Sequence, residues 1–265
     1  MTDGVLLYDK PAGITSAGVV ASVREGFPRG VKVGHAGTLD PFATGLLLIL
    51  VGRATRVQRF LMALPKTYEA VARFGAVSNT GDPEGELVST GVVPAGELRL
   101  PSGLIRQRPP AYSAVKVGGR RAYALARAGV EVELPEREVE IYRFLELGRD
   151  GDRRRFLIEC SSGTYVRSLI TDLGNAYCEA LRRTRIGCFD VARADPSRVI
   201  SLDTALSFLP ERRLDPERAR RASHGAAVQG QGSGVVRLTD DAGLIALAEP
   251  LQDGSGLRPI VGLRG

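Results

Sequence analysis

The segment over 34–45, GHAGTLDPFATG, holds the residues best suited to chemistry. Pro41 biases Asp40 towards an extended backbone, so this carboxylate should lie on a stiff bend just before an apolar run. A carboxylate fixed in this way can act as a nucleophile or a base. The alternative is an ordinary Asp-Pro corner in which Asp40 caps a turn, and the dipeptide by itself favours that alternative. His35 is likewise either a site residue or a hydrogen-bonded loop histidine.

The elements around this segment must position it. Residues 46–51, LLLILV, lie between two glycines and predict a buried strand. Another strand is expected over 5–8, followed by a helix that Thr15 or Ser16 caps and that ends near Arg24. The remaining patterns predict a helix over 53–64, strands over 68–74 and 156–160, a surface loop over 78–85, an irregular stretch over 91–110 and a basic helix over 120–128.

A second arginine-bearing segment follows the strand over 156–160. Val166, Leu169 and Ile170 have the spacing of one helix face, and Thr164 is the expected cap. Arg167 lies off the centre of this face. A solvated helix arginine, which contributes little to stability, is therefore one interpretation of it.

Cysteine and histidine are too few for several classes of protein. The three cysteines, at 160, 178 and 188, form no CxxC pair, and the histidines stand at 35 and 224. This number and spacing suits neither a disulfide framework nor a Cys/His zinc site, and we expect reduced cysteines and no metal. The sequence also lacks a GxxxxGK[ST] phosphate loop and a GxGxxG motif that opens a helix, so we expect no nucleotide cofactor.

Arginine dominates the positive charge. The chain has 265 residues, with 36 basic and 30 acidic side chains, and only four of the basic residues are lysine. Arginine forms forked hydrogen bonds to phosphate and stacks on bases, which suits RNA. A GC-rich genome that replaces lysine by arginine explains the composition equally well. The apolar runs are too short to span a bilayer and the first residues lack a secretory signal, so we expect a cytoplasmic protein.

The composition changes near residue 210. Arginine and acidic residues alternate over 210–221, and short apolar runs separated by glycine follow from 224 onward. This pattern predicts a main domain over 1–209 and a small β domain over 210–265. A β unit of this size buries little surface by itself, so we expect it to dock on the main domain.

Six motifs, in the same order, resemble those of the TruB family of tRNA pseudouridine synthases. The segment over 34–47, GHAGTLDPFATGLL, resembles the catalytic segment of that family. The others are GVLLYDKP at 4–11, KTY at 66–68, QRPPAYSAVK at 107–116, GTYVR at 163–167 and LRRT at 181–184. The tail resembles, more weakly, a PUA-like RNA-binding domain.

The resemblance implies an α+β fold, the pseudouridine synthase fold, in which helices flank a mixed β-sheet. An RNA-clamp segment inserted at about 96–135 and the PUA-like domain would complete it. The implied reaction converts uridine 55 in the TΨC loop of tRNA to pseudouridine, by base flipping and without a cofactor. The stretch over 97–106 is shorter than in the family, and Pro101 interrupts it, which predicts a trimmed clamp.

The resemblance also assigns roles to residues. Asp40 either attacks the sugar or removes a sugar proton, and Tyr68 packs on the flipped base and is a candidate for deprotonating C5. Arg167 holds Asp40 ionised through a forked bond. The implied substrate-binding residues are Lys10, His35, Lys66, Arg120, Arg121, Tyr165 and Leu181. Lys10 is alternatively a structural turn residue, and Tyr165 a half-buried core tyrosine.

Two rival functions remain open at this point. One is a tRNA-binding or tRNA-folding protein without catalysis, since basicity and tyrosines suit binding as well. The other is a related pseudouridine synthase that acts on another RNA. For the enzyme we expect a monomer whose partner is the TΨC arm of tRNA.

Overall fold

The computed structural model describes residues 3–110, 112, 116–117, 119–122, 125, 128, 130 and 134–264. The strands in these ranges are β1 (Gly4–Lys10), β2 (Val33–His35), β3 (Thr44–Val51), β4 (Lys66–Phe74), β5 (Ala76–Ser78), β6 (Leu87–Ser89), β7 (Gly103–Gln107), β8 (Lys116–Val117), β9 (Arg120–Arg121), β10 (Arg137–Asp150), β11 (Arg153–Cys160), β12 (Ala176–Ile186), β13 (Phe189–Asp190), β14 (Asp195–Ser201), β15 (Glu211–Arg213), β16 (Val236–Asp240), β17 (Gly243–Pro250) and β18 (Leu257–Gly262).

Few helices accompany these strands. They are α1 (Ser16–Glu25), α2 (Gln58–Ala63), α3 (Val166–Thr171), α4 (Leu202–Ala205) and α5 (Pro216–Ser223), with 3₁₀ turns at Gly52–Val57 and Val191–Arg193. Within the described ranges, no helix is long and apolar enough to cross a membrane.

A mixed sheet of ten strands organises the molecule. Its order is β14-β1-β3-β12-β4-β11-β10-β7, with β2 on β3 and β13 on β12. The β3–β12 pair is parallel, and the other pairs of this sheet are antiparallel. The predicted α+β class is therefore confirmed.

Strand β3 is buried on both faces, which explains its unbroken apolar sequence. Leu46, Leu48 and Leu50 point into one apolar cluster, whereas Leu47 and Ile49 point into another that α1 covers. Alternate side chains of a strand face opposite sides of the sheet, so a strand between two cores needs apolar residues throughout.

The parallel contact between β3 and β12 requires a glycine. Gly45 pairs with Arg183 and has a φ of 104°, in the region that side chains disfavour. A Cβ atom at Gly45 would lie 2.2 Å from the carbonyl oxygen of Arg183. This close approach brings the LRRT motif beside the GHAGTLDPFATG segment.

The C-terminal residues form a second sheet, in the order β15-β16-β17-β18, against which α5 packs. Leu247 and Leu263 extend from it into the apolar cluster of the large sheet. Arg53 and Arg56 donate hydrogen bonds to the carbonyl oxygens of Leu263, at 3.0 Å, and Gly262, at 2.8 Å. Residues of the tail are thus continuous with the main core, and a division at 209/210 stays a prediction.

Several sequence-based expectations differ from the structure. The stretch over 91–110 is not wholly irregular, because it contains the edge strand β7. The basic helix over 120–128 does not begin as a helix, since Arg120–Arg121 pair with Lys116–Val117 in a short hairpin. Residues 123–124 and 126–127 of that expected helix lie outside the described residues.

Helix α3 also differs at its start. Its N-cap is Tyr165, with no capping side chain, while the Thr164 hydroxyl donates instead to the carbonyl of Ser161 at 3.0 Å. The helix expected over 53–64 is a 3₁₀ turn followed by α2. Both differences are local and leave the predicted order of elements unchanged.

Candidate active site

Four contacts fix the backbone that carries Asp40. The backbone N–H of Leu39 donates to the Ser16 hydroxyl at 2.9 Å, and that hydroxyl donates to the Leu39 carbonyl at 3.1 Å. The Lys10 ammonium and the backbone N–H of Gly13 donate to the Pro41 carbonyl, at 3.1 Å and 2.8 Å. The bend at Asp40 is thereby tied to the start of α1 and to the end of β1.

Arg183 holds the other side of the same loop. Its guanidinium donates to the carbonyl oxygens of Leu46, at 2.8 Å, and Gly37, at 3.1 Å, and only 1% of the residue is exposed. Arg183 is therefore a positioning residue that the sequence analysis did not single out. An arginine in a charged run, RRTR, gives no local sign that it points inward.

Arg167 lies at the centre of the site and is 3% exposed. Its Nε is 2.9 Å from Oδ2 of Asp40. Its Nη1 donates to Oδ2 of Asp82 and its Nη2 to the Tyr112 carbonyl, both at 2.8 Å. The interpretation as a solvated helix arginine is therefore wrong.

The expected forked bond from Arg167 to Asp40 is wrong as well. The two Nη atoms point towards other acceptors, and the Nε–H is close to Asp40 without being aligned as a hydrogen bond. The guanidinium instead bridges two carboxylates. It contacts the Asp40 carboxylate through one oxygen, Oδ2.

Asp82 is the acidic partner that the sequence analysis missed. The segment over 78–85 is rich in turn formers and was expected to be a surface loop, yet Asp82 is only 5% exposed. Its Oδ1 accepts hydrogen bonds from the Thr80 hydroxyl at 2.6 Å and from the Glu84 backbone N–H at 3.1 Å. A buried carboxylate with these donors is held rigidly for Arg167.

The charges around Asp40 act in opposite directions. Burial raises the pKa of Asp40 above its ordinary value of 3.8, the Arg167 guanidinium opposes that rise, and the Asp82 carboxylate adds to it. The net direction is upward. Arg167 acts in the expected direction, because it favours the ionised carboxylate, but burial outweighs it and the pKa of Asp40 stays above the ordinary value.

A cavity of about 540 Å³ opens beside Asp40 and Arg167. Seven of the ten candidate site residues line it: His35, Asp40, Lys66, Tyr68, Tyr165, Arg167 and Leu181. The side chains of Arg120 and Arg121 lie outside the described residues. Asp40, Tyr68 and Leu181 thus line the same cavity, and this combination suits a planar ring attached to a sugar.

Tyr68 and Lys66 extend from the same face of β4, two residues apart. The Tyr68 side chain is buried in the protein, and this burial raises the pKa of its hydroxyl, while Arg183 acts to lower it. Tyr68 is therefore a neutral phenol in the cavity wall. It offers a flat apolar surface with one polar end.

Lys10 does not line the cavity, although it was expected to bind substrate. Its ammonium donates to the carbonyl oxygens of Pro11 and Ile14, both at 2.8 Å, as well as to that of Pro41. All three N–H groups are used within the protein. Lys10 is therefore a positioning residue, which agrees with the alternative that it is a structural residue of the turn.

His35 lies at the mouth of the cavity. Burial lowers the pKa of its imidazole, and Arg183 lowers it further, so the ring is neutral at pH 7. Its Nδ1 is buried and has no hydrogen-bond partner among the described residues. A neutral ring here can contact a base without adding charge.

Gln107 positions Tyr165. Its side-chain amide donates to the Tyr165 carbonyl at 2.9 Å and accepts from the Tyr165 backbone N–H at 2.8 Å. Arg137, the neighbour of Gln107 across β7 and β10, stacks on the Tyr165 ring at 5.4 Å. Gln107 begins the motif that was expected to grip RNA, but its own side chain is buried and internal.

The described residues contain no cluster of three or more His, Cys, Asp or Glu side chains that could hold a metal ion. The polar side chains that line the cavity include a carboxylate, arginines, tyrosines and a lysine.

Comparison with known proteins identifies the group to which these features belong. Residues 27–166 match the model of the TruB family pseudouridylate synthase (N terminal domain). The chain is 42% identical to tRNA pseudouridine synthase B of Thermobifida fusca (strain YX), over 100% of both chains. It is 40% identical to tRNA pseudouridine synthase B of Mycobacterium tuberculosis (strain ATCC 25618 / H37Rv), over 98% of this chain and 96% of the relative.

Solved structures agree with this match. A Cbf5-Nop10-Gar1 complex includes a chain that superposes with a TM-score of 0.70 at 25% identity, covering 99% of this chain and 84% of that one. A chain from an H/ACA RNP bound to a substrate RNA containing 2′-deoxyuridine superposes with a TM-score of 0.71 at 23% identity, and this likeness concerns the fold alone. The expected pseudouridine synthase fold is confirmed. The family model spans more than half of the chain and full-length relatives exceed 30% identity, so the chain belongs to the TruB family of pseudouridylate synthases.

Proposed function

We propose that this enzyme converts uridine 55 in the TΨC loop of tRNA to pseudouridine, with Asp40 acting on the ribose. As a TruB family member with full-length relatives named tRNA pseudouridine synthase B, it is a tRNA pseudouridine synthase. The observation that carries the finer proposal is the contact between Arg167 and Asp40 inside a cavity that Tyr68 and Leu181 also line. The tRNA position comes from the motif resemblance.

The reaction breaks the C1′–N1 bond, turns the uracil ring and joins C5 to C1′. Asp40 either attacks C1′ or removes a sugar proton, and both routes need an ionised carboxylate. Arg167 fixes the direction of that carboxylate by binding it from the side. Tyr68 supplies a flat surface for the ring and a phenol near C5.

Base flipping is required, because N1 and C5 of a uracil stacked in the TΨC loop are not accessible to Asp40. Unstacking a base costs a few kcal/mol, so contacts to the RNA backbone must offset it. The expected contacts come from Arg120, Arg121 and the segment 210–265, which we propose as the PUA-like RNA-binding domain. The arginines at 212, 213, 218, 220 and 221 are exposed on that segment. Their charge suits phosphate.

The chemistry also guides the proposals about cofactors and setting. Isomerisation changes no oxidation state and releases no group, so we propose that it needs neither a cofactor nor a metal. We further propose that the enzyme works as a monomer in the cytoplasm, where tRNA is available. The TΨC arm is the proposed recognition element.

Incubation with an unmodified tRNA transcript, followed by mapping of pseudouridine at single-nucleotide resolution, tests the proposal. We expect pseudouridine at position 55 with the wild-type enzyme and none with Asp40→Asn, which should still bind tRNA. Binding without any pseudouridine in the wild type would favour a tRNA-binding protein without catalysis. Pseudouridine formed only in another RNA would favour a related synthase.

A further inference from the structure

Two buried cations that line the active-site cavity have no carboxylate partner in the part of the chain that the structure describes. Lys66 is 7% exposed and Arg183 is 1% exposed. Among the described residues, Lys66 donates to the carbonyl oxygens of Met62 and Leu64, the latter at 2.6 Å. Arg183 donates to backbone carbonyls and also interacts with the Tyr68 hydroxyl, and neither kind of group carries a negative charge that would pair with it. Buried charges are normally paired with opposite charges, so two unpaired cations in one cavity need an explanation.

The cavity has two electrostatically distinct ends. The charges that act on Asp40 are those of Arg167, Asp82 and Lys10. Those that act on Lys66 are Arg183 and the Cys160 thiol. Cations and carboxylates thus balance around Asp40, whereas no carboxylate is among the groups that act on Lys66.

Tyr68 lies between these ends, because both Arg183 and Asp40 influence its hydroxyl. Same-face neighbours on a strand are about 7 Å apart. A ring that packs on Tyr68 therefore lies beside the position of Lys66, which stands two residues earlier on β4 and lines the same cavity.

The proposed reaction generates an anion at this place. When the C1′–N1 bond breaks, its electron pair goes to the uracil ring, and the charge is shared by N1, O2 and O4. This holds whether Asp40 attacks C1′ or removes a sugar proton. The ring then turns and C5 bonds to C1′. On the first route this bond displaces the Asp40 carboxylate from C1′, and on the second route Asp40 returns its proton to the sugar. The C5 proton leaves to a base, which restores a neutral ring.

We propose that Lys66 is a catalytic residue whose ammonium contacts the departing uracil ring and stabilises its negative charge, with Arg183 adding to the positive potential. This inference rests on the proposed function. Two of the three Lys66 N–H groups are used on carbonyl oxygens, and the third is available to a uracil oxygen. Fixed donors aimed at developing charge are among the strongest sources of rate enhancement.

A purely structural role for Lys66 is the competing explanation. Its two acceptor carbonyls lie at the end of α2, where cations stabilise a helix. Helix α2 has only six residues, however, and a neutral donor would satisfy the same carbonyls. A structural role does not explain why a charged side chain lines the cavity. The two roles also predict different effects of a Lys66 substitution when the substrate is changed.

The test compares Lys66→Met with the wild type in single-turnover reactions at saturating enzyme. The substrates are tRNA transcripts with either uridine or 5-fluorouridine at the target position. Fluorine at C5 withdraws electrons and stabilises the ring anion by itself. The readout is C1′–N1 cleavage, followed as loss of the original nucleoside from RNA digests. Lys32→Met is the matched control, since Lys32 is exposed.

We expect Lys66→Met to slow cleavage of uridine about tenfold or more, with tRNA affinity unchanged. With 5-fluorouridine the ratio of wild-type to variant rate should shrink about threefold or more, because the ring anion then needs less stabilisation from the enzyme. Lys66→Arg should recover part of the loss. If Lys66→Met does not fold, Lys66→Gln removes the charge and keeps an N–H donor for the two carbonyls.

A wild-type rate in the neutral variants would overturn the inference. So would a slowing that is equal for the two substrates, because that pattern indicates a structural role. A wild-type enzyme that makes no pseudouridine would overturn the proposed function and this inference together. Normal wild-type activity with an unaffected Lys66→Met variant would overturn this inference alone.

The pH profile gives an independent readout. Burial, and after it Arg183 from β12, lower the pKa of Lys66 to about 8, and the Cys160 thiol from β11 acts in the opposite direction. The positive charge is therefore present below about pH 8 and lost above it. The wild-type rate should fall above that pH, and this fall should be absent from the Lys66→Met profile.

Discussion

The guanidinium of Arg167 joins Asp82 to Asp40: its Nη1 lies 2.8 Å from Oδ2 of Asp82, and its Nε lies 2.9 Å from Oδ2 of Asp40. One buried cation thus serves two carboxylates. Asp82 fixes the arginine, and the arginine fixes the Asp40 carboxylate. Asp82 also raises the pKa of Asp40. Its negative charge therefore disfavours the ionisation of Asp40, although Asp82 anchors the arginine that favours this ionisation.

Asp82→Asn should damage this arrangement although it changes few atoms. Asn has one acceptor oxygen, whereas the Asp82 carboxylate accepts from Thr80, Glu84 and Arg167. Breaking a buried ion pair costs about 3 kcal/mol, so the melting temperature should fall clearly. The single-turnover rate should fall as well, because Arg167 loses its anchor.

Thr80→Val is the milder comparison for that variant. It removes the hydroxyl that donates to Asp82 and keeps both carboxylates. Loss of this one hydrogen bond should cost about 1 kcal/mol, measured by thermal or urea unfolding. Equal stability of Asp82→Asn and wild type would show that the ion pair contributes nothing net.

Arg167→Lys keeps the charge and removes the planar group that bridges the two carboxylates. We expect the single-turnover rate at saturating enzyme to fall at least about tenfold, equivalent to about 1.4 kcal/mol in the barrier. Affinity for tRNA, measured separately, should change little, since Arg167 is 3% exposed and its guanidinium is engaged by groups of the protein. A wild-type rate in this variant would exclude Arg167 as the residue that orients Asp40.

Local signals made Asp40 predictable from the sequence. Glycines and Pro41 mark an unusual backbone, and LLLILV marks the strand that follows it. Asp82 has no such signal, because an acid among turn formers is typical of a solvated loop, and its partner Arg167 is 85 residues away in the chain. Only the fold brings the two together.

The same physical reason explains why the sequence did not reveal that Arg183 and Gln107 are buried. Arg183 and Gln107 stand in polar runs that are typical of a surface, yet both are buried and bond to backbone groups. Strand β12, which carries Arg183, lacks a clean alternation of apolar and polar residues. Polar side chains that satisfy backbone groups inside a protein cannot be separated by pattern from those that face water.

Lys10→Met should affect catalysis through the loop rather than through binding. The change leaves the carbonyl oxygens of Pro11, Ile14 and Pro41 without their donor. We expect a loss of about 3 kcal/mol in the free energy of unfolding, at about 1 kcal/mol for each lost bond. The rate should fall more than the tRNA affinity, because Pro41 follows Asp40.

Lys32→Met is a matched control for Lys10→Met, since Lys32 is exposed. It should leave both the unfolding curve and the rate unchanged. A lower tRNA affinity in Lys10→Met, with its rate and stability kept, would instead make Lys10 a substrate contact.

The binding of tRNA should depend on salt through Arg120 and Arg121. Replacing both by Ala should reduce the slope of log affinity against log salt by about 1 to 2, since each phosphate contact releases counterions. Arg198→Ala is the control, because Arg198 is exposed on β14, at the opposite edge of the large sheet from β7. An unchanged slope in the double variant would place the RNA-binding surface elsewhere.

Asp40→Asn should abolish pseudouridine formation and, at neutral pH, raise stability. The folded-state pKa of Asp40 is raised above 3.8, first by burial. Between the unfolded and folded pKa values the native state holds more protons, so stability falls as the pH rises through that window. The ionised carboxylate thus destabilises the fold at neutral pH, and Asn removes that effect. The melting temperature of Asp40→Asn minus that of wild type should therefore grow from acid to neutral pH. Asp241→Asn, at a carboxylate that is 88% exposed, should show no such trend.

The wild-type single-turnover rate should fall on the acid side at a higher pH than an ordinary carboxyl group would give, because Asp40 must be ionised to act. A rate that stays constant down to pH 4 would show that Asp40 titrates as an unperturbed group.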